Sequence, residues 1–261
     1  MAVSKKKYAS RSIVGKQRVC NYLSANKSLK RHAPHTVSFS QGHLKMMINK
    51  YDMLYVKPNV GSHGIGVFKL KRSDSGYELF EIVKKKQISK HYNSISGVYD
   101  RLKKQKPAKL IIQKGISLDT VKGCPYDIRV MVQRKPGGPW VCTGIVVKVG
   151  ARNKIVTNYY QGGSIYTMKQ LGKMQGKSSA ATEGRVRKMT DLALRISLAL
   201  SKKQSGMHEM GIDFAYDKQN HLWVIEVNSN HPQFHAIKQL DRKAYNKMLH
   251  FAASYGRHSA K

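Results

Sequence analysis

Acidic side chains are scarce in this chain: 14 Asp and Glu stand against 48 Lys and Arg, a formal net charge of +34 over 261 residues. Such a field disfavours basic partners and draws polyanions. The positive residues are dispersed, with short runs at Lys5-Lys6-Lys7, Lys84-Lys85-Lys86 and Lys103-Lys104. Each run alone reads as solvated surface, but the sum points to nucleic acid, an acidic polypeptide or a polyphosphorylated small molecule, bound more weakly as salt rises. Cysteine is scarce too. Cys20, Cys124 and Cys142 are unclustered, which argues against a disulfide frame or a zinc site. Long apolar runs are missing, so no membrane span is expected, and the N-terminus lacks the apolar stretch of a signal peptide. The cytoplasm is the expected location. No internal repeat appears, and a 41% hydrophobic chain can bury a full core in one large domain or two tightly joined lobes.

What is present is most informative near the C-terminus. Met210 to Asp217 and Leu222 to Asn228 alternate like two strands joined by the polar turn Lys218-Gln219-Asn220-His221. Pairing 217 with 222 and counting inward sets Asp213 opposite Glu226. Gly211, Asp213, Glu226 and Asn228 then share one face, and Ile212, Phe214, Tyr216, Trp223, Ile225 and Val227 the other. Two carboxylates opposed at roughly 5 Å repel unless something positive sits between them. A hard cation would do so, with Asn228 as a third oxygen ligand and Gly211 leaving room, and oxygen-only ligands suit Mg²⁺ shared with nucleotide phosphates. The bland alternative is an exposed hairpin edge carrying scattered acids.

Upstream, a basic tail precedes a helix through Lys16, Val19, Cys20 and Leu23, and a second helix is expected from Gly42 to Asn49. The strand Met53 to Lys57 stops at Pro58 and runs into Asn59-Val60-Gly61-Ser62-His63-Gly64-Ile65-Gly66, followed by strands Val67 to Lys71 and Tyr77 to Val83. A P-loop or Rossmann fingerprint needs a helix after the loop, and here a strand follows. Either the loop amides close over phosphates, with Lys57 a fixed charge at the base, or the segment is a plain hairpin turn. Lys109 to Gln113 is a buried-type strand leading into Lys114-Gly115-Ile116. Asp127 to Val132 and Val141 to Val149 form a hairpin in which Arg129 shares a face with Asp127 and Met131, as a structural ion pair or a phosphate clamp. A helix spans Thr182 to Gly206, both reading as caps, and the segment Gln233 to Arg257 is helical.

Together, Lys57-Pro58 with the Gly61 to Gly66 loop, Gln113-Lys114-Gly115-Ile116, Asp127-Ile128-Arg129-Val130, Gly211-Ile212-Asp213 and Glu226-Val227-Asn228 resemble the ATP-grasp fold. Ile155-Val156-Thr157-Asn158 with Gly162-Gly163 is similar to its YheC/YheD branch, named for endospore coat-associated proteins, so spore association goes with the resemblance. The resemblance implies an α+β fold in which two α+β lobes hold ATP between them. The corresponding division is 1–50 as basic tail and helical segment, 51–118 as the small lobe with the glycine loop, and 119–261 as the C-terminal lobe. ATP-grasp ligases usually carry a preceding α/β domain, and only about 50 residues stand before Lys57. The substrate would then be bound by the core itself, by the mate in a homo-oligomer, or by another protein.

By this resemblance Lys57 and Lys16 would contact the ATP phosphates, and Gly61, Ser62, His63, Gly64 and Gly66 would fold over them. Gln113, Lys114, Gly115 and Ile116 would form the adenine hinge, although many of these ligases have a glutamate where Gln113 stands, and Asp119 would meet the ribose. Asp213, Glu226 and Asn228 would hold Mg²⁺, Arg129 would steady the transferred phosphoryl group, and Asn158, Gly162 and Gly163 would line the acceptor pocket. The implied chemistry is a carbon–nitrogen ligation: a carboxylate acceptor becomes an acyl phosphate and an amine donor displaces phosphate, with no side-chain nucleophile. The charge favours an acidic polypeptide or other polyanion as acceptor. The runner-up is a kinase of a polyphosphorylated small molecule. A third reading, from a different class, is a polyanion-binding protein without turnover.

Overall fold

The computed structural model describes residues 7–61, 64–83, 86–104, 109–152, 154–155, 157 and 162–260. Two antiparallel sheets organise them. The first sheet takes the order β1 (Thr36–Ser38), β6 (Leu110–Lys114), β2 (Met53–Pro58), β3 (Phe68–Ser73), β4 (Gly76–Val83) and β5 (Lys86–Tyr92). One face is covered by α2 (Gln41–Lys50) and α3 (Ile95–Lys103), whose Leu44, Met47, Ile48, Val98 and Leu102 meet Leu54, Val56, Leu70 and Ile112 in a closed apolar core. Ser40 and Ser94 cap the two helices by accepting the His43 and Gly97 amides. The strand β5 escapes an alternation reading because it is mostly exposed and polar.

The second sheet runs β10 (Ser164–Tyr166), β9 (Val141–Val149), β8 (Cys124–Gln133), β11 (Glu209–Tyr216) and β12 (Leu222–Asn228), with the short β7 (Thr120–Val121) paired to β8. Alternation along its strands divides the labour of the two faces. Tyr126, Ile128, Val130, Ile212, Phe214 and Tyr216 point to a core closed by α1 (Lys16–Ser24), α4 (Met168–Met174) and α5 (Ser179–Lys203). The opposite face is covered at one end by α6 (Arg242–Ala253) and the 3-10 turn His235–Gln239, where Met131 packs with Phe234, Ile237 and Met248. Its other end is open.

Two expectations need correction. The long helix begins at Ser178, whose hydroxyl takes the Ala181 amide, so Thr182 lies inside the first turn and gives its own hydroxyl to Ser178 O at 3.0 Å. At the other end the cap is Gln204 rather than Gly206. The segment 233–257 is a 3-10 turn and a separate helix, because Asp241 caps a fresh N-terminus at Ala244 N. Ile13, Val19 and Leu23 belong to the core of the second sheet, whereas α2 belongs to that of the first.

Candidate functional site

The sheets face each other across a cleft of about 1390 Å³ lined from both sides. On the side of the second sheet the site is a product of register. The β11–β12 turn pairs Tyr216 with Leu222, one residue off the expected 217–222 pairing. Uninterrupted counting from there would set Asp213 against Ile225 and turn Glu226 into the core. An extra residue, Ile225, bulges between Val224 and Glu226 and restores the Asp213–Glu226 pair. The bulge also corrects the face assignment: Leu222, Val224 and Val227 pack on the core, while Ile225 and Glu226 both line the cleft. Trp223, expected in the core, donates instead to Asp217 at 2.8 Å under the Lys114 ammonium.

A second bulge does the same in β9. Thr143 is extra between Cys142 and Gly144, and so Lys148 falls opposite Asp127 instead of one residue away. Across β8, β11 and β12 a row then reads Arg129, Asp213, Glu226. Arg129 holds Asp213 through both oxygens, at 2.6 and 2.8 Å, and Lys148 adds a bond at 3.0 Å while reaching Asp127 at 2.7 Å. Asn228 donates to Asp213 at 3.2 Å, and Lys16 pairs with Glu226 at 3.3 Å. The positive charge that the opposed carboxylates require is therefore supplied by the protein's own Arg129, Lys148 and Lys16. The room beside Gly211 is likewise taken: a Cβ there would lie 2.8 Å from Arg129 Nη1 and 3.0 Å from Pro232 Cβ.

The balance sets the titration. Burial by itself would raise Asp213, but Arg129 and Lys148 override it and hold the carboxyl well below the usual range. Asp127 moves the other way, with burial outweighing Lys148 and Asp213 adding repulsion. Among the described residues no three His, Cys, Asp or Glu side chains converge as a ready metal cluster. Asp213, Glu226 and Asn228 still form an oxygen-only set facing the cleft, the donor chemistry a hard cation requires. A cation binding Asp213 has to displace Arg129 or Lys148 from it.

From the first sheet, Lys57 reaches the cleft with a buried ammonium whose one described hydrogen bond goes to Gln113 Oε1 at 2.8 Å. Burial pulls its pKa down, with Glu226 pulling back. Lys16, on the first turn of α1, donates to Gly61 O at 2.8 Å and so bridges the glycine loop to Glu226. Gly61, Gly64, Gln113, Lys114, Ile116, Gly162 and Gly163 also line the cleft. Gly66, Gly115 and Asp119 do not. Gly66 turns the chain at φ +70 against Pro58, and Gly115 gives its amide to Met53 O where a Cβ would meet Met53 Cγ at 2.6 Å. Asp119 is spent on the Tyr126 hydroxyl at 2.7 Å and Gln175 at 3.1 Å. Ser62, His63 and Asn158 lie outside the described residues. Asp127 and Lys148 escaped notice as site residues; the signal was a pairing hidden by the bulge at Thr143.

Two α+β lobes, a glycine loop beside a buried lysine on one and a carboxylate pair on the other, define the ATP-grasp fold. The family model for YheC/D-like ATP-grasp matches residues 5–258, and the chain belongs to that family. It is 30% identical over 207 residues to the endospore coat-associated protein YheD of Bacillus subtilis (strain 168), covering 74% of this chain and 44% of that protein. With YheC of the same organism it shares 20% identity over 227 residues, covering 86% of this chain and 62% of the relative. The chain thus spans about half the length of these relatives. A solved structure of the ATP-grasp ligase PsnB complexed with minimal precursor superposes with a TM-score of 0.53 at 11% identity, over 92% of this chain and 60% of that one. Among the described residues no helix is long and apolar enough to cross a membrane.

Proposed function

We propose that the chain is an ATP-dependent carboxylate–amine ligase acting on an acidic polypeptide or a similar polyanion. One observation carries the reading. Lys57 holds a buried ammonium in the cleft, gives one of its three protons to Gln113, and stands beside the glycine loop, where a phosphate oxygen would satisfy the rest. Lys16 and the loop amides would hold the remaining phosphate charge, and Arg129 would steady the group in transfer. Asp213, Glu226 and Asn228 would hold Mg²⁺. When bound, ATP supplies the phosphoryl group that activates the carboxylate as an acyl phosphate, and Mg²⁺ neutralises its charge.

The acceptor class rests on charge. Besides Lys16 and Lys57 the cleft carries Lys69, Lys71, Lys114, Lys148, Lys154 and Lys218, more than one nucleotide requires. The test is incubation with ATP and Mg²⁺ against amino acids, acidic peptides and inositol phosphates, reading ADP release and product mass. A condensed amide supports the ligase, a phosphate adduct supports the kinase reading, and no ADP release from any of them supports polyanion binding without turnover.

A further inference from the structure

Asp213 is saturated by the protein's own donors. A carboxylate offers about four lone-pair positions, shared between its oxygens. Oδ1 accepts from Arg129 Nε at 2.6 Å and from Lys148 Nζ at 3.0 Å, and Oδ2 accepts from Arg129 Nη2 at 2.8 Å and from Asn228 Nδ2 at 3.2 Å. A divalent cation that takes Asp213 therefore evicts one of these donors. Arg129 grips both oxygens, so moving it breaks two charge-assisted bonds at once. Asn228 is neutral, and its departure would leave the new cation beside Arg129 and Lys148 with no positive charge removed. Lys148 holds Asp213 through one oxygen only, and it has somewhere to go.

Asp127 supplies that place. Across β8 and β9 it stands directly opposite Lys148, whereas Asp213 lies on the far side of β8, in register with Arg129. Lys148 therefore reaches diagonally over β8 to Asp213. Asp127 is 5% exposed, and its two oxygens are treated unequally. Oδ2 accepts from the Thr157 hydroxyl. Oδ1 is buried and takes no hydrogen bond, although Lys148 Nζ stands only 2.7 Å from it. The separation is short enough, so the shortfall is one of direction, and the bond that the ammonium does make goes to Asp213. A buried charge stripped of its partner is costly, but a lysine that falls back on a waiting carboxylate is not stripped.

We propose that Lys148 yields Asp213 Oδ1 to an incoming divalent cation and settles on Asp127 Oδ1, the acceptor reserved for it. Both are positioning residues for metal entry and neither is a ligand. The inference rests on the Mg²⁺ reading of Asp213, Glu226 and Asn228 above. Without nucleotide the carboxylates of the site are matched by Arg129, Lys148 and Lys16, which leaves a free cation little field to follow. The phosphates of a nucleotide add the negative charge that tips the exchange. The metal then loads with the nucleotide rather than ahead of it.

Mn²⁺ is the probe, a cation suited to oxygen ligands whose binding is counted by electron-spin resonance and by water-proton relaxation. The full chain is titrated first without nucleotide, as wild type and as the double variant Asp127→Asn with Lys148→Met. The double variant removes one carboxylate and one ammonium together, so it strands no buried charge, and a field effect alone would leave the Mn²⁺ affinity where it was. The exchange predicts about tenfold tighter binding there, because Asp213 Oδ1 has lost a competing charge-assisted hydrogen bond. Asp127→Asn by itself leaves Lys148 on Asp213 without its fallback. With the β,γ-methylene analogue of ATP present, that variant should bind Mn²⁺ about tenfold more weakly than wild type. Unchanged affinity in either variant overturns the exchange. No Mn²⁺ bound by the wild-type protein with the analogue, or binding that survives Glu226→Gln unaltered, removes the metal reading itself and the exchange with it.

Discussion

Lys57 shows how one side chain can be kept against its own cost. Its pKa falls on burial, so the folded state binds this proton less tightly than the unfolded chain. The penalty is therefore present below the folded pKa and disappears as pH rises past the ordinary lysine value. Lys57→Met should raise the melting temperature at neutral pH by the equivalent of about 1 kcal/mol, roughly 2–4 °C for a chain of this size, while removing stabilisation by ATP. A lower melting temperature would instead make the ammonium a structural partner of Gln113. The two carboxylates should separate in the same assay. Asp213→Asn leaves Arg129 and Lys148 buried around a lost charge and should cost about 3–5 kcal/mol. Glu226→Gln, at a partly exposed position, should leave the apo protein near wild-type stability and abolish the additional stabilisation by ATP with Mg²⁺. A normal Mg²⁺-ATP response in Glu226→Gln would refute its metal role.

Among the elements, α1 has the least ordinary beginning. Gly15 offers no side-chain cap, and Asn59 supplies one from the other lobe: its Oδ1 takes the Gln17 amide at 2.9 Å and its carbonyl takes Lys16 N at 2.9 Å. The helix that carries Lys16 packs with the second sheet, whereas Asn59 leads from β2 into the glycine loop. A single capping residue thus couples the loop to the lobe that holds Glu226. Asn59→Ala should lose about 1 kcal/mol of stability, as a lost cap does. It should also weaken ATP binding measured by calorimetry. Wild-type ATP affinity in that variant would show that the cap serves α1 alone.

Over the whole molecule the charge dominates. At +34 the surface field extends about 8 Å into physiological salt, and an extended polyanion samples far more of it than one nucleotide does. The affinity for poly-L-glutamate should fall steeply between low and physiological salt, and that for ATP with Mg²⁺ much less. Titrations of both across the same salt series decide it. A flat response for the polyanion would detach the charge from catalysis and favour a surface-association role.

By itself the sequence determined what is local. Alternation gave the strand pairs and composition the positive field, whereas the Asp213–Glu226 opposition was reached from a turn register one residue off, which the bulge at Ile225 offsets. The family followed from those motifs in order. Tertiary structure decided which charges meet. Arg129 from β8, Lys148 from β9 and Lys16 from α1 converge on two carboxylates only because sheet order and α1 packing bring distant segments side by side. The two bulges are invisible to a period of two, and each shifts the alternation by one residue, so the same motif can face core or cleft. Asp119 and Gly115 were turned to internal contacts and Lys148 was brought to Asp213 for the same reason: a side chain's role depends on the groups folded against it, and those lie up to 65 residues away in the chain.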